Sequence, residues 1–134
     1  ITAVFSVFAA QVFKLVIGAV KTRTLDWSVC FSSGGMPSSH AAFVVALSTA
    51  LALQDGVRSH AFFISLVFST IVLYDSMGLR RAVGEQAVRL NKMAERYFEK
   101  DMPDPLKIIK GHTPVEVVAG FCLGVSVAVL SYAF

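Results

Sequence analysis

Apolar residues gather in four runs along this chain. Residues 3–20 are apolar apart from Ser6, Gln11 and Lys14, and the run closes with the cations Lys21 and Arg23. That length is close to the ~20 residues a helix needs to cross a bilayer core. Residues 41–54 form a second run, which reaches only ~21 Å at about 1.5 Å per residue. It is short for lipid, which predicts a helix inside a bundle with its start sunk below the surface. Residues 61–79 form the third, interrupted by hydroxyls and by Asp75, and residues 114–134 the fourth, with Glu116 near its start. Between the last two, Val83, Ala87, Leu90, Ala94 and Tyr97 recur at spacings of four and three, the mark of an amphipathic helix. DMPDP at 101–105 then breaks it. The plain reading of this helix is a solvated extension of the third run; a membrane-surface helix and a homodimer contact are the other roles open to it. No internal repeat and no low-complexity tract is present. The predicted fold is all-α: one membrane-embedded domain over residues 1–134, a bundle of about four transmembrane helices with an amphipathic helix on its cytoplasmic side.

Composition agrees with that pattern. Hydrophobic residues make up 55% of the 134 and charged residues 16%, with a mean hydropathy of +0.67. A soluble globule this small needs the usual ~25% of charge to cover its surface. Too little is polar for disorder. A cleavable signal peptide would carry its positive charge before its apolar run; here the order is reversed. Cys30 and Cys122, in unrelated contexts, make neither a disulfide framework nor a zinc site. The formal charge is +3 and sits mostly in residues 80–110; no nucleic-acid partner is expected. The loops predict topology. Loops 21–39 and 80–112 hold ten Lys and Arg residues against Arg58 alone between runs two and three. The two long loops therefore belong on the cytoplasmic or equivalent face of a multi-pass protein, with both termini opposite.

This topology brings chemistry to one face. His40 opens the second run and His112 precedes the fourth. Lys14 lies about two turns from the end of the first, Asp75 about one turn from the end of the third, and Arg80 and Arg81 follow. Glu116 stands four residues after His112. Ionisable groups within spans are costly, so each is a functional candidate. Each also has a plain structural alternative: Lys14 as a snorkelling lysine, His40 as an interfacial histidine, Asp75 and Arg80 as an ion pair. Thr113-Pro114-Val115-Glu116 reads as a capping box with proline at the first helical position. Cys122 reads as packing, and Gly120 and Gly124 as a close helix contact. Taken together, the small-residue loop Ser32 to Ser39 running into a helix makes an anion cradle of hydroxyls and free amides. The segment after Lys110-Gly111-His112 offers a second helix start on the same face. Two helix starts, two imidazoles and flanking cations describe a phosphate site. One imidazole, held by a carboxylate, attacks phosphorus and the other protonates the leaving oxygen.

Pro37-Ser38-Ser39-His40 resembles the second motif, PSGH, of the superfamily of type-2 phosphatidic acid phosphatases and vanadium haloperoxidases. His112-x-x-x-Glu116 resembles its third, His-x-x-x-Asp. The likeness is greatest to the small divergent membrane branch, whose AQ-x-x-K, SGGMPSSH, YDA-x-GVR and GHTP-x-EV-x-x-G are matched by Ala10 to Lys14, Ser33 to His40, Tyr74 to Arg80 and Gly111 to Gly120. The resemblance covers Ala10 to about Gly124. It implies that Lys14, Ser38, Ser39 and Gly35 bind phosphate oxygens, that His40 protonates the leaving group, that His112 forms a phosphohistidine, and that Glu116, in place of aspartate, orients it. Three places depart from the superfamily: Ser39 replaces glycine, Lys21-Thr22 replace an Arg-Pro pair, and Leu106 stands where the third-motif arginine belongs. Arg80 is the candidate replacement, with Lys107 and Lys110 in reserve and Asp75, Arg81 and Lys21 as supporting residues.

The expected activity is hydrolysis of a lipid phosphate or pyrophosphate, such as a phospholipid or isoprenoid phosphate, without metal or other cofactor. The alternative is a catalytically degenerate membrane protein that binds a phosphorylated lipid or stabilises a partner. Vanadium-dependent halide oxidation, usual in larger soluble members, is a distant third.

Overall fold

The computed structural model describes residues 1–23, 35–98, 104–109 and 111–134, and of Lys21 only the backbone. Cys30, Ser32 to Gly34, Lys110 and the Lys21 side chain, all singled out from the sequence, lie outside the described residues. Among those described, every regular element is a helix: α1 (Thr2–Thr22), α2 (Ser39–Asp55), α3 (His60–Met77), α4 (Leu79–Tyr97) and α5 (Pro114–Ala133).

Large side chains face outward and small ones inward. Phe5, Phe8 and Phe13 on α1, Ile64, Val67 and Ile71 on α3, and Val118, Phe121 and Leu130 on α5 are exposed. Among the described residues the buried apolar ones are Ala3, Ala10, Ala41, Ala42, Val44, Val45, Ala46, Ala87, Val117 and Ala128. Lipid is as apolar as leucine, so a membrane bundle gains little by hiding large side chains and gains packing by bringing backbones together over small ones. Thr2–Val20, the run from His60 and Pro114–Ala133 are long and apolar enough to cross a membrane. The all-α integral membrane bundle expected from the sequence is the fold observed.

The short helix is the central one. α2 has 17 residues, about 26 Å of helix, and packs against α1, α3 and most extensively α5. Its contact with α5 depends on two glycines. A Cβ on Gly120 would run into the Ser38 carbonyl oxygen, and one on Gly124 would lie 2.6 Å from the Ala42 oxygen. Serine hydroxyls supply the lateral polar contacts: Ser6 donates to the Ala42 carbonyl at 3.1 Å, Ser69 donates to the Val44 carbonyl at 3.0 Å, and the Ser48 and Ser69 hydroxyls lie 2.8 Å apart.

Gly78 separates α3 from the amphipathic α4, whose only packed helix among the described elements is α3. α4 is more than a solvated extension, because the segment returning toward α5 lies along it. Asn91 bonds the Leu106 backbone twice, donating at 2.9 Å and accepting at 2.8 Å. The missing side chain of Gly84 admits the Ile109 carbonyl, and Gly111 rests on the Arg81 backbone. The helix is the bed for Leu106, Ile109 and Gly111, just ahead of His112.

Candidate functional site

His112 is fixed at three points and almost wholly buried, 4% exposed. Its backbone N–H donates to the Ser76 carbonyl at 3.0 Å, tying it to the end of α3. Gly111 seats the preceding peptide on α4. Its Nδ1 lies 3.0 Å from Glu116 Oε2. That carboxylate oxygen also accepts the Thr113 N–H at 3.1 Å, and Thr113 Oγ1 accepts the Glu116 N–H at 3.4 Å, completing the capping box. Cap and imidazole partner, posed as alternatives by the sequence, are one oxygen doing both. With Nδ1–H directed at a carboxylate, Nε2 carries the free lone pair.

His40, in the first turn of α2, faces that ring: the centroids are 5.9 Å apart with planes inclined at 61°. Ser38 is buried and caps α2, its hydroxyl accepting the Ala41 N–H at 3.3 Å while its own N–H donates to the Glu116 carbonyl at 2.9 Å. That last bond joins the start of α2 to the start of α5, so both histidines share one rigid corner. The Ser39 and His40 amides make no hydrogen bond among the described residues.

The two helix starts are therefore not equivalent as anion cradles. At α5, the Thr113 and Glu116 amides are spent on the capping box and Pro114 has none, which leaves Val115. At α2, two adjacent amides and the Ser38 hydroxyl proton remain to donate.

Charge converges on His40. Arg80, His112, Lys14 and Asp75 all lie close enough to act on its ring electrostatically. Lys14 is 4% exposed, which is incompatible with an amine reaching out along the lipid-facing surface. Gln11, three residues earlier, holds a buried amide oxygen with no hydrogen-bond partner among the described residues. Arg80 pairs with Asp75, Nε to Oδ2 at 3.4 Å, with both side chains about two-fifths exposed. Arg81 turns the other way and pairs with Glu85 at 3.2 Å. Arg80, the candidate phosphate ligand, and Asp75, a supporting residue, thus lie beside His40; Arg81 lines the cleft at His112, and Lys21 and Lys110 lie outside the described side chains.

Two openings lead to the rings. A crevice of about 300 Å³ between α1, α2 and α3 is lined by His40 and Ser39 with Val7, Phe43, Phe68 and Val72. A cleft of about 440 Å³ reaches His112 and Glu116 past Gly35, Arg81, Glu85 and Ile109. The first is apolar and opens among membrane-spanning helices; the second is rimmed by charge. Two signals of this site had no sequence counterpart: the Ser76 carbonyl, which any residue would supply, and the return segment on α4.

Fold and site together define a multi-pass membrane protein with a carboxylate-held histidine facing a second histidine beside buried cationic charge. Residues 1–127 match the family described as "Divergent PAP2 family", and the chain belongs to it. It is similar to the "Uncharacterized membrane protein YuiD" of Bacillus subtilis (strain 168), with 40% identity over 143 residues that cover 96% of this chain and 90% of that protein. No solved structure matches the chain significantly.

Proposed function

We propose that this protein is a membrane phosphatase that hydrolyses a lipid phosphate or pyrophosphate through a phosphohistidine. The observation that carries the reading is the His112–Glu116 contact at 3.0 Å with His40 facing it at 5.9 Å. His112 Nε2 attacks phosphorus as the bond to the leaving oxygen breaks, and His40 delivers the proton that oxygen needs. Glu116 holds the ring in one tautomer and stabilises the positive charge it acquires. In the second half, His40 takes a proton from water as it attacks the phosphohistidine, releasing inorganic phosphate and restoring both rings. Phosphate oxygens would be held by Lys14, Arg80, the Ser38 hydroxyl and the Ser39 and His40 amides, with Gly35 at the approach. Such donors, aimed where charge develops, are usually the largest contribution to catalysis.

Loops rich in Lys and Arg are retained on the cytoplasmic or equivalent side, so the site opens on that face. The Arg80–Asp75 pair at 3.4 Å favours a second reading, in which the arginine is already spent and the site binds a phosphorylated lipid without turnover. The test is phosphate release by purified protein, in detergent with a chelator present, from a panel of lipid phosphates and pyrophosphates. Release that disappears in His112→Ala supports the phosphatase. Saturable binding of the same lipids with no release by the wild type supports the second reading.

A further inference from the structure

The crevice that leaves His40 is built from apolar side chains and ends in lipid. Its walls are Val7 of α1, Phe43 and Val44 of α2, and Phe68 and Val72 of α3; its polar members, Ser39 and His40, lie together at the start of α2. Phe68 and its neighbours Ile64, Val67 and Ile71 are exposed on a helix that crosses the membrane, so the outer mouth meets hydrocarbon. The crevice reaches from His40 to Phe68, which precedes Asp75 by seven residues, about 10 Å of helix. At about 300 Å³ it stands at the small end of ligand sites, which run ~300–1,000 Å³. The cleft at His112 differs in carrying charge: Arg81, Glu85 and Glu116 line it together with the apolar Val88, Ile108 and Ile109.

From this division we infer that the crevice receives one hydrocarbon chain of the substrate, and that the protein selects phosphates carrying a single chain over those carrying two. The inference rests on the phosphatase reading and extends it to substrate class. The leaving oxygen, with the chain attached, lies on the His40 side, where the proton is delivered. Water and phosphate exchange through the charged cleft on the His112 side. The crevice has room for one chain, and a second chain on the same headgroup would have to lie outside it, against the exposed face of Phe68.

The test compares dodecyl phosphate, ethyl phosphate and dioctanoylglycerol phosphate as substrates for the full-length protein in detergent micelles. The expected order of kcat/KM is dodecyl phosphate first, with at least a tenfold margin over each of the others. Val72→Trp, which fills the crevice, is expected to lower the dodecyl-to-ethyl ratio at least tenfold. Phe68→Ala, which widens it, is expected to raise turnover of the two-chain substrate relative to dodecyl phosphate. Thermal unfolding in the same detergent separates these ratios from loss of fold, and the ratios themselves are insensitive to the fraction of active protein. Equal use of one-chain and two-chain phosphates, or ratios unmoved by both variants, overturns the inference while leaving the phosphatase standing. Absence of phosphate release from all three, and from a one-chain lipid pyrophosphate assayed beside them, overturns both.

Discussion

Replacing Glu116 by glutamine tests the division of labour at its Oε2. That atom lies 3.0 Å from His112 Nδ1 and accepts the Thr113 N–H at 3.1 Å. A glutamine that puts its carbonyl oxygen there keeps both bonds and loses the charge. Turning its NH₂ group inward would set one donor against the Thr113 N–H, so the cap selects the orientation that keeps His112 Nδ1 protonated. The tautomer survives. What is lost is the difference between a hydrogen bond to a charged group, ~1.5–3 kcal/mol, and a neutral one, ~0.5–1.5 kcal/mol. That difference of about 1–1.5 kcal/mol, expressed as the ring becomes cationic, corresponds to roughly tenfold in rate. Stability falls by only ~0.3–1 kcal/mol, the effect of removing an anion from a helix N-terminus. Glu116→Ala is worse on both counts, because it orphans the buried imidazole N–H and removes half of the capping box. Glu116→Asp should retain part of the activity. The assay is phosphate release beside thermal unfolding in detergent. Full activity in Glu116→Gln would refute the orienting role, and a stability loss above about 2 kcal/mol would refute the claim that the oxygen, rather than its charge, maintains the cap.

His40→Ala should slow turnover by roughly 10²–10⁴, and less for a substrate whose leaving group needs no proton, as measured by kcat on alkyl against nitrophenyl phosphates. Gly120→Ala puts a methyl group against the Ser38 carbonyl and 2.9 Å from Ala41 Cβ; it should destabilise by about 1–3 kcal/mol through overpacking and reduce turnover by moving the start of α2 away from α5. Ser38→Ala removes the cap of α2 and should cost on the order of 1 kcal/mol in thermal unfolding, with a rise in KM from the lost hydroxyl donor.

The element boundaries were legible because a membrane helix writes itself as a long, predominantly apolar run. The run at 61–79 corresponds to α3 at His60–Met77 and the run at 114–134 to α5 at Pro114–Ala133. The capping box was legible too, since its three residues sit within one turn. What periodicity could not show is which faces meet. The stripe from Val83 to Tyr97 marks α4 as amphipathic, but nothing in it says that the segment ending in Ile109 folds back against Gly84. Ser6, Ser48 and Ser69 interrupt apolar runs without announcing that they join helices, because a serine that bonds its own helix has the same sequence signature. The sequence set two helix starts on one face without ranking them; the capping box it also showed at Thr113–Glu116 consumes amides that an anion would need, so the start of α5 offers fewer.

The central claim is that His112 becomes covalently phosphorylated. The most direct measurement is to mix purified protein with a lipid phosphate labelled at phosphorus, quench within milliseconds in alkali, and follow label on the polypeptide. A phosphohistidine survives alkali and is lost in acid, so the account predicts alkali-stable, acid-labile label on the wild type and none in His112→Gln. Phosphate release by the wild type without any such label, or label that persists in His112→Gln, would contradict it.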